Sequence, residues 1–253
     1  MPFTLAHPAV ILPLHGKWRD GFLGLVFGSL GPDIPYFLPP RITDSLTGSH
    51  QIFGVMRVGA PLALMLLAVT VLGRPVLIAP LWGRLRTVVD RALAGALRSP
   101  ASWLHTVLAI IVGCEIHVFW DSFTHKEGWM VLHVHALTYD ISPIHGYPLK
   151  LFLALQYLSS VVGLLVIVSW CRRRLRLEGT GIEPERAGWK PWVLAAVAVI
   201  SIIASWVAVQ HAGSRSGHPH TLQYIAATTA VVTFVLLYAL FGVLLAAGRR
   251  RAN

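Results

Sequence analysis

Five stretches of this chain are each long and apolar enough to cross a bilayer, which restricts the fold more than any other feature. They run roughly over Ile52–Gly73, Ser102–Thr124, Leu149–Trp170, Pro191–Gln210 and Thr221–Ala247. About 20 residues of α-helix span the hydrocarbon layer. A helix also satisfies its own N–H and C=O groups there, where water cannot. Composition agrees, since 13% of the 253 residues are charged against about 25% in a soluble domain. The expected class is all-α: a polytopic transmembrane helix bundle of about five spans, with a re-entrant or interfacial N-terminal helical region.

The intervening segments read differently. Val76–Trp82 is too short to cross and contains Pro80. Arg84–Arg98 sets Leu, Val and Ala against Arg at helical spacing, the pattern of an interfacial amphipathic helix. Arg172–Arg176 and Glu178–Lys190 read as a polar loop, and no internal repeat is present. The first residues lack the basic stretch of a cleavable signal peptide. One membrane domain, 1–253, is the expected organisation, with a basic loop at 171–190 and two final spans at 191–253. Cys114 and Cys171 both fall in or beside apolar segments, which does not favour a structural disulfide.

The net charge of +10 would fit nucleic acid, but the Arg residues gather in a few loops and the C-terminal tail, so no nucleic-acid partner is expected. Such placement follows the topological bias of membrane proteins. Loop 74–101 holds five Lys or Arg, loop 171–190 six, and the tail Arg249, Arg250 and Arg251. Five crossings put all three on one side, expected to be cytoplasmic, with the C-terminus there too. Opposite them stand Lys17, Arg19, Arg41, Lys126, Lys150 and Arg215. The same arrangement puts every histidine but His105 on the extracytoplasmic side. For the N-terminus to share that side, Gly21–Leu38 must not cross; Gly31-Pro32 breaks it into a shallow or re-entrant helix.

Within the second span, His117, Asp121 and His125 stand four residues apart. Four residues advance about 400° around a helix, so the three side chains form one stripe. Imidazole and carboxylate are ligands for zinc and similar divalent ions, and burying them in a membrane is costly unless they are paired. His7 before Pro8, Asp33 after Gly31-Pro32, and His50 after Ser49 add further donors. The six suffice for one or two ions. Each also has an ordinary reading: His7 as a turn or cap residue, Asp33 as a turn former, His50 as an interfacial side chain and His125 as a helix C-cap. Glu115, two residues before His117, faces elsewhere and reads as a neighbour of the ligands, a general base or a packing carboxylate.

These blocks resemble a bacterial membrane family known only as domain of unknown function 4184. The resemblance covers about 1–170 and rests on Met1–Pro8, Gly28–Phe37, Ser49–Gly54, Gly113–Trp129 and Gln156–Gly163. More distantly, the order His, Pro-Asp, Ser-His, His-x-x-x-Asp is similar to membrane-bound metal-dependent hydrolases related to zinc-dependent phospholipase C. That resemblance implies a ligand set of His7, Asp33, His50, His117 and Asp121. The hydrolases carry Pro-Asp-x-Asp-His where this chain has Pro32-Asp-Ile-Pro-Tyr36.

The leading expectation is a hydrolase of the bacterial cytoplasmic membrane, with a divalent metal, zinc foremost, at its extracytoplasmic face. It would act on an ester or phosphoester of a lipid or envelope substrate, with His125 or Glu115 moving the proton. The alternative is a non-catalytic membrane protein whose His/Asp cluster is structural or senses metal or pH.

Overall fold

The computed structural model describes residues 3–38, 40–46, 48–81, 83–95, 99–142, 149–178, 192–213 and 219–252. Residues 179–190 of the polar loop, including Trp189, and His145 and His218 lie outside the described residues.

The described residues are mostly helical, and the only extended pairing among them is the single bridge Asp140–Lys150. Its α-helices are α1 (Pro8–Ile11), α2 (Phe22–Gly28), α3 (Pro40–Ser45), α4 (Ile52–Gly54), α5 (Ala60–Leu72), α6 (Arg74–Leu77), α7 (Gly83–Gly95), α8 (Pro100–Thr124), α9 (Trp129–His133), α10 (Leu151–Glu178), α11 (Trp192–Gly213) and α12 (Pro219–Ala252). A π-turn, Val55–Gly59, joins α4 to α5, and a 3-10 helix covers Gly31–Phe37. Among the described residues, five helical segments meet the length and apolarity of a membrane span, at Val55–Leu72, Pro100–His133, Leu151–Leu177, Trp192–Ala212 and Ile225–Gly248. The protein is a polytopic helical membrane protein.

Two helices run further than expected. Arg172–Arg176 continue α10 to Glu178, and Arg249–Arg251 continue α12, so both basic stretches extend their helices. Arg and Leu are good helix formers, and nothing in either run stops the ladder. α8 starts two residues earlier than expected, at Pro100. Ser99 accepts from the Ser102 amide at 3.2 Å while Ser102 Oγ accepts from the Ser99 amide at 3.0 Å, a capping box ahead of Pro100.

The chain forms two compact units. The smaller comprises Thr70–Arg91 and Gly179–Asn253. Here α11 pairs with α12, and Tyr238 on α12 donates to the Leu77 carbonyl at 2.7 Å. The larger comprises Met1–Val69 and Ala92–Glu178, and holds every candidate ligand.

The larger unit is organised by an N-terminal hairpin wedged among its long helices. The first leg, Thr4–Gly16, runs beside α10: the Phe3 amide donates to Ser160 Oγ at 2.9 Å, and a Cβ at Gly163 would sit 3.0 Å from Ala6. The hairpin tip reaches the basic end of α10, where His15 contacts Arg174 and packs 5.3 Å from the Trp170 ring. The second leg returns along α8. A Cβ at Gly24 would stand 2.4 Å from the Thr106 carbonyl and one at Gly28 2.2 Å from the Ile110 carbonyl. Small residues four apart let helix backbones touch in this way. Ile11, Leu25 and Ala109 form the dry centre between the two legs and α8.

This hairpin corrects the sequence reading of His15, Lys17 and Arg19. The tip lies beside His105, twelve residues and so about 18 Å along α8 from His117. His15 therefore sits at the Arg-rich end of the unit, away from the candidate ligands. Because the second leg returns toward the start of the first, His7 on the first and Asp33 beyond the second finish at the same level.

Candidate metal centre

Four separate segments deliver the candidate ligands to one place. α8 supplies His117 and Asp121, one turn apart. His7 ends the first turn of the hairpin's outgoing leg. Asp33 lies in the 3-10 helix Gly31–Phe37, which is held close because a Cβ at Gly31 would meet the Gly59 carbonyl at 2.6 Å. The π-turn that includes Gly59 thus leaves room for this helix. His50 follows Gly48, whose φ of +84° needs a residue without a side chain.

Asp33 is fully buried, and His117, Asp121 and His7 are exposed by only 1–3%. His50 keeps 24% of its side chain exposed. One nitrogen or oxygen each from Asp33, His50, His117 and Asp121 lies within 4.8 Å of all the others. His50 Nε2 is 3.2 Å from Asp33 Oδ1, 3.4 Å from Asp121 Oδ2 and 3.3 Å from His117 Nε2. His117 Nε2 is in turn 3.6 Å from Asp33 Oδ1 and 3.2 Å from Asp121 Oδ2. Bonds of about 2.0–2.2 Å in a tetrahedral zinc shell set neighbouring donors roughly 3.3–3.6 Å apart. Five of the six donor pairs lie 3.2–3.6 Å apart, close to that spacing, and the donor types suit such a shell.

The surroundings prepare these atoms for a cation. His117 Nδ1–H donates to the Ser29 carbonyl at 2.7 Å, which fixes the tautomer and turns the Nε2 lone pair toward the aspartates. Ser49 Oγ lies 3.1 Å from His50 Nδ1 and holds that ring with its Nε2 toward the aspartates. His7 Nε2, Asp33 Oδ2 and both Asp121 carboxylate oxygens are buried without a hydrogen-bond partner. An orphaned buried polar group costs about 1–3 kcal/mol, more when charged. Two buried carboxylates with orphaned oxygens therefore call for positive charge between them.

In the metal-free protein, protons supply part of it. Burial opposes the charge on His50, but hydrogen bonds to Asp121 and Asp33 outweigh that and raise its pKa to about 9. Burial also pushes the Asp33 carboxyl upward, yet His117, His50 and His7 hold it below its ordinary value. His7 is lowered to about 4, by burial first and the adjacent His117 second. The proton on His50 thus stands in for part of a cation's charge.

His7 joins the group from the far side. It stacks on His117 with ring centroids 3.8 Å apart, and its Nε2 is 3.8 Å from Asp33 Oδ2 and 3.6 Å from Asp121 Oδ1. His125 caps α8 and lies at the rim, with Nδ1 3.5 Å from Asp121 Oδ2 and 3.2 Å from the Asp121 carbonyl. Glu115 is not brought in. Two residues before His117 it points to another helix face, and among the described residues it pairs with no member of the cluster. Sequence reasoning missed Ser29 and Ser49, the residues that orient the two imidazoles. Ser29 acts through its backbone carbonyl, which leaves no residue-type signal; Ser49 stands beside His50 and was legible as a neighbour.

A cavity of about 640 Å³ opens on one side of the cluster, lined by His50, Asp121 and His125 together with Tyr36, Trp129 and Leu132. His133 and His135 do not reach it. Both are exposed, and His133 stacks on Trp129 at 4.3 Å. Cys114 and Cys171 are free thiols.

No curated protein and no solved structure matches this chain. A family model does, over residues 1–247, which extends the likeness through the last two spans. The chain belongs to the family described as Domain of unknown function (DUF4184).

Proposed function

We propose that the protein is a metal-dependent hydrolase of the bacterial cytoplasmic membrane, acting on an ester or phosphoester of a lipid or envelope molecule at the extracytoplasmic face. The observation that carries this reading is the pairing of a pre-oriented His/Asp donor set with a cavity opening directly on it. Asp33, His50, His117 and Asp121 would hold the ion, with zinc foremost for this donor set. A divalent cation so bound supplies Lewis-acid activation of water and of the scissile group's oxygen.

The chain's own residues do the rest. His125 Nδ1 is engaged by Asp121, which leaves Nε2 to carry a proton to or from a ligand in the cavity. Tyr36 and Trp129 with Leu132 give the cavity aromatic and apolar walls opposite the polar cluster. That combination suits an amphiphile whose reacting group lies where headgroup meets chain, so a membrane lipid is the substrate class favoured. Orientation rests on charge. Lys17 and Arg19 at the hairpin tip join Arg172–Arg174 and Arg176 at one end of the larger unit, the end a positive-inside bias puts in the cytoplasm, with the C-terminus cytoplasmic as well.

The test is product release from a panel of phospholipids and lipid-linked phosphates by purified wild type, Asp33→Ala and His125→Ala. Wild type should release product and Asp33→Ala none. His125→Ala should keep its metal and lose about 100-fold or more in turnover. Metal bound without turnover on any member would favour the non-catalytic alternative, in which the ion ties the hairpin to α8.

A further inference from the structure

The two aspartates each present one oxygen to the His50/His117 side and another to His7. Asp33 Oδ1 and Asp121 Oδ2 face the two imidazoles already described. Asp33 Oδ2 and Asp121 Oδ1 are instead the atoms nearest His7 Nε2, at 3.8 and 3.6 Å. All three atoms on this second side are buried and lack a hydrogen-bond partner. His7 is 3% exposed, so water does not satisfy it from outside. One ion among Asp33, His50, His117 and Asp121 answers the first set of atoms and leaves the second unanswered.

We propose that the chain binds two divalent cations, the second between His7 Nε2, Asp33 Oδ2 and Asp121 Oδ1, with both aspartates bridging the pair. The inference rests on the single-cation reading above and adds His7 as the residue that distinguishes the second position. Three protein donors leave this position open to an exogenous oxygen ligand, whereas the first has four. Paired sites of this kind hold their ions about 3.5–4 Å apart, close enough for unpaired electrons on the two ions to couple. Carboxylate-rich positions accept manganese as well as zinc, so manganese(II) serves as the probe.

Full-length protein in detergent, stripped and reloaded with manganese(II), should hold two ions per chain by mass spectrometry and give a spin-coupled electron paramagnetic resonance signal. His7→Phe keeps the ring volume and the stack on His117 but offers no donor. It should halve the manganese content and leave the six-line signal of an isolated ion. Wild type that binds a single uncoupled ion, unchanged in His7→Phe, would overturn the second position while leaving the first intact. Two coupled ions retained in His7→Phe would overturn the assignment to His7. No manganese in wild type would overturn the first position and the second together. The wild-type stoichiometry and coupling decide the matter even if the variant fails to fold.

Discussion

His50 and His117 face each other Nε2 to Nε2 at 3.3 Å. Two lone pairs cannot share that distance, so either a proton or a cation lies between them. The choice is set by pH. Metal-free His50 keeps its proton up to about pH 9, and an ion needs the neutral imidazole. Below that pH, binding releases a proton, so affinity should rise with pH by about tenfold per unit and level off above about 9. Isothermal titration between pH 6 and 8 in buffers of different ionisation enthalpy will count that proton; a flat affinity would contradict its displacement. Ser49→Ala removes the hydroxyl that holds His50 and should weaken metal binding by about tenfold, measured by competition with a chelating dye. At this scale the sequence was informative where spacing carries geometry. His117 and Asp121, four apart on one helix, had to share a face. His7, Asp33 and His50 carried only local hints, because what unites them is tertiary. Glu115 was legible as a carboxylate near the site, yet its helix phase turns it away.

Among the elements, the N-terminal hairpin decides whether a centre exists at all. It meets α8 through Gly24 and Gly28, and the Ser29 carbonyl that orients His117 follows directly. A side chain at position 28 would stand 2.2 Å from the Ile110 carbonyl, so the second leg must move outward. Gly28→Val is expected to destabilise the protein by about 1–3 kcal/mol and to reduce metal content with it. Thermal unfolding in detergent, followed with and without added zinc, will show both; unchanged melting and full metal loading would contradict the packing described. The broken character of Gly21–Leu38 was readable from Gly31-Pro32. A helical N-terminal region was expected, but the course of the first leg along α10 was not, since Pro8 and Pro13 interrupt any helical period and its length is too short for a span signal. The Gln156–Gly163 block gains a physical meaning from the structure: Ser160 and Gly163 are where the N-terminus docks on α10.

Over the whole molecule, five apolar segments were enough to give the class, because hydrocarbon leaves the backbone little choice. Helix ends were less legible, as Arg-rich runs continue α10 and α12 where composition alone read loops. Charge predicts the orientation of the larger unit. A single cysteine introduced as Lys17→Cys should react with an impermeant maleimide only after the membrane is opened from the cytoplasmic side, and Lys126→Cys should react in intact cells. The reverse pattern would move the centre to the other leaflet. The proposed centre depends above all on a divalent ion held by residues from four distant parts of the chain. Metal analysis of purified protein, comparing wild type with His117→Ala and Asp121→Ala, addresses this most directly. At least one tightly held divalent ion per chain is expected in wild type and none in either variant. A metal-free wild type, or an Asp121→Ala protein that keeps its full content, would contradict it.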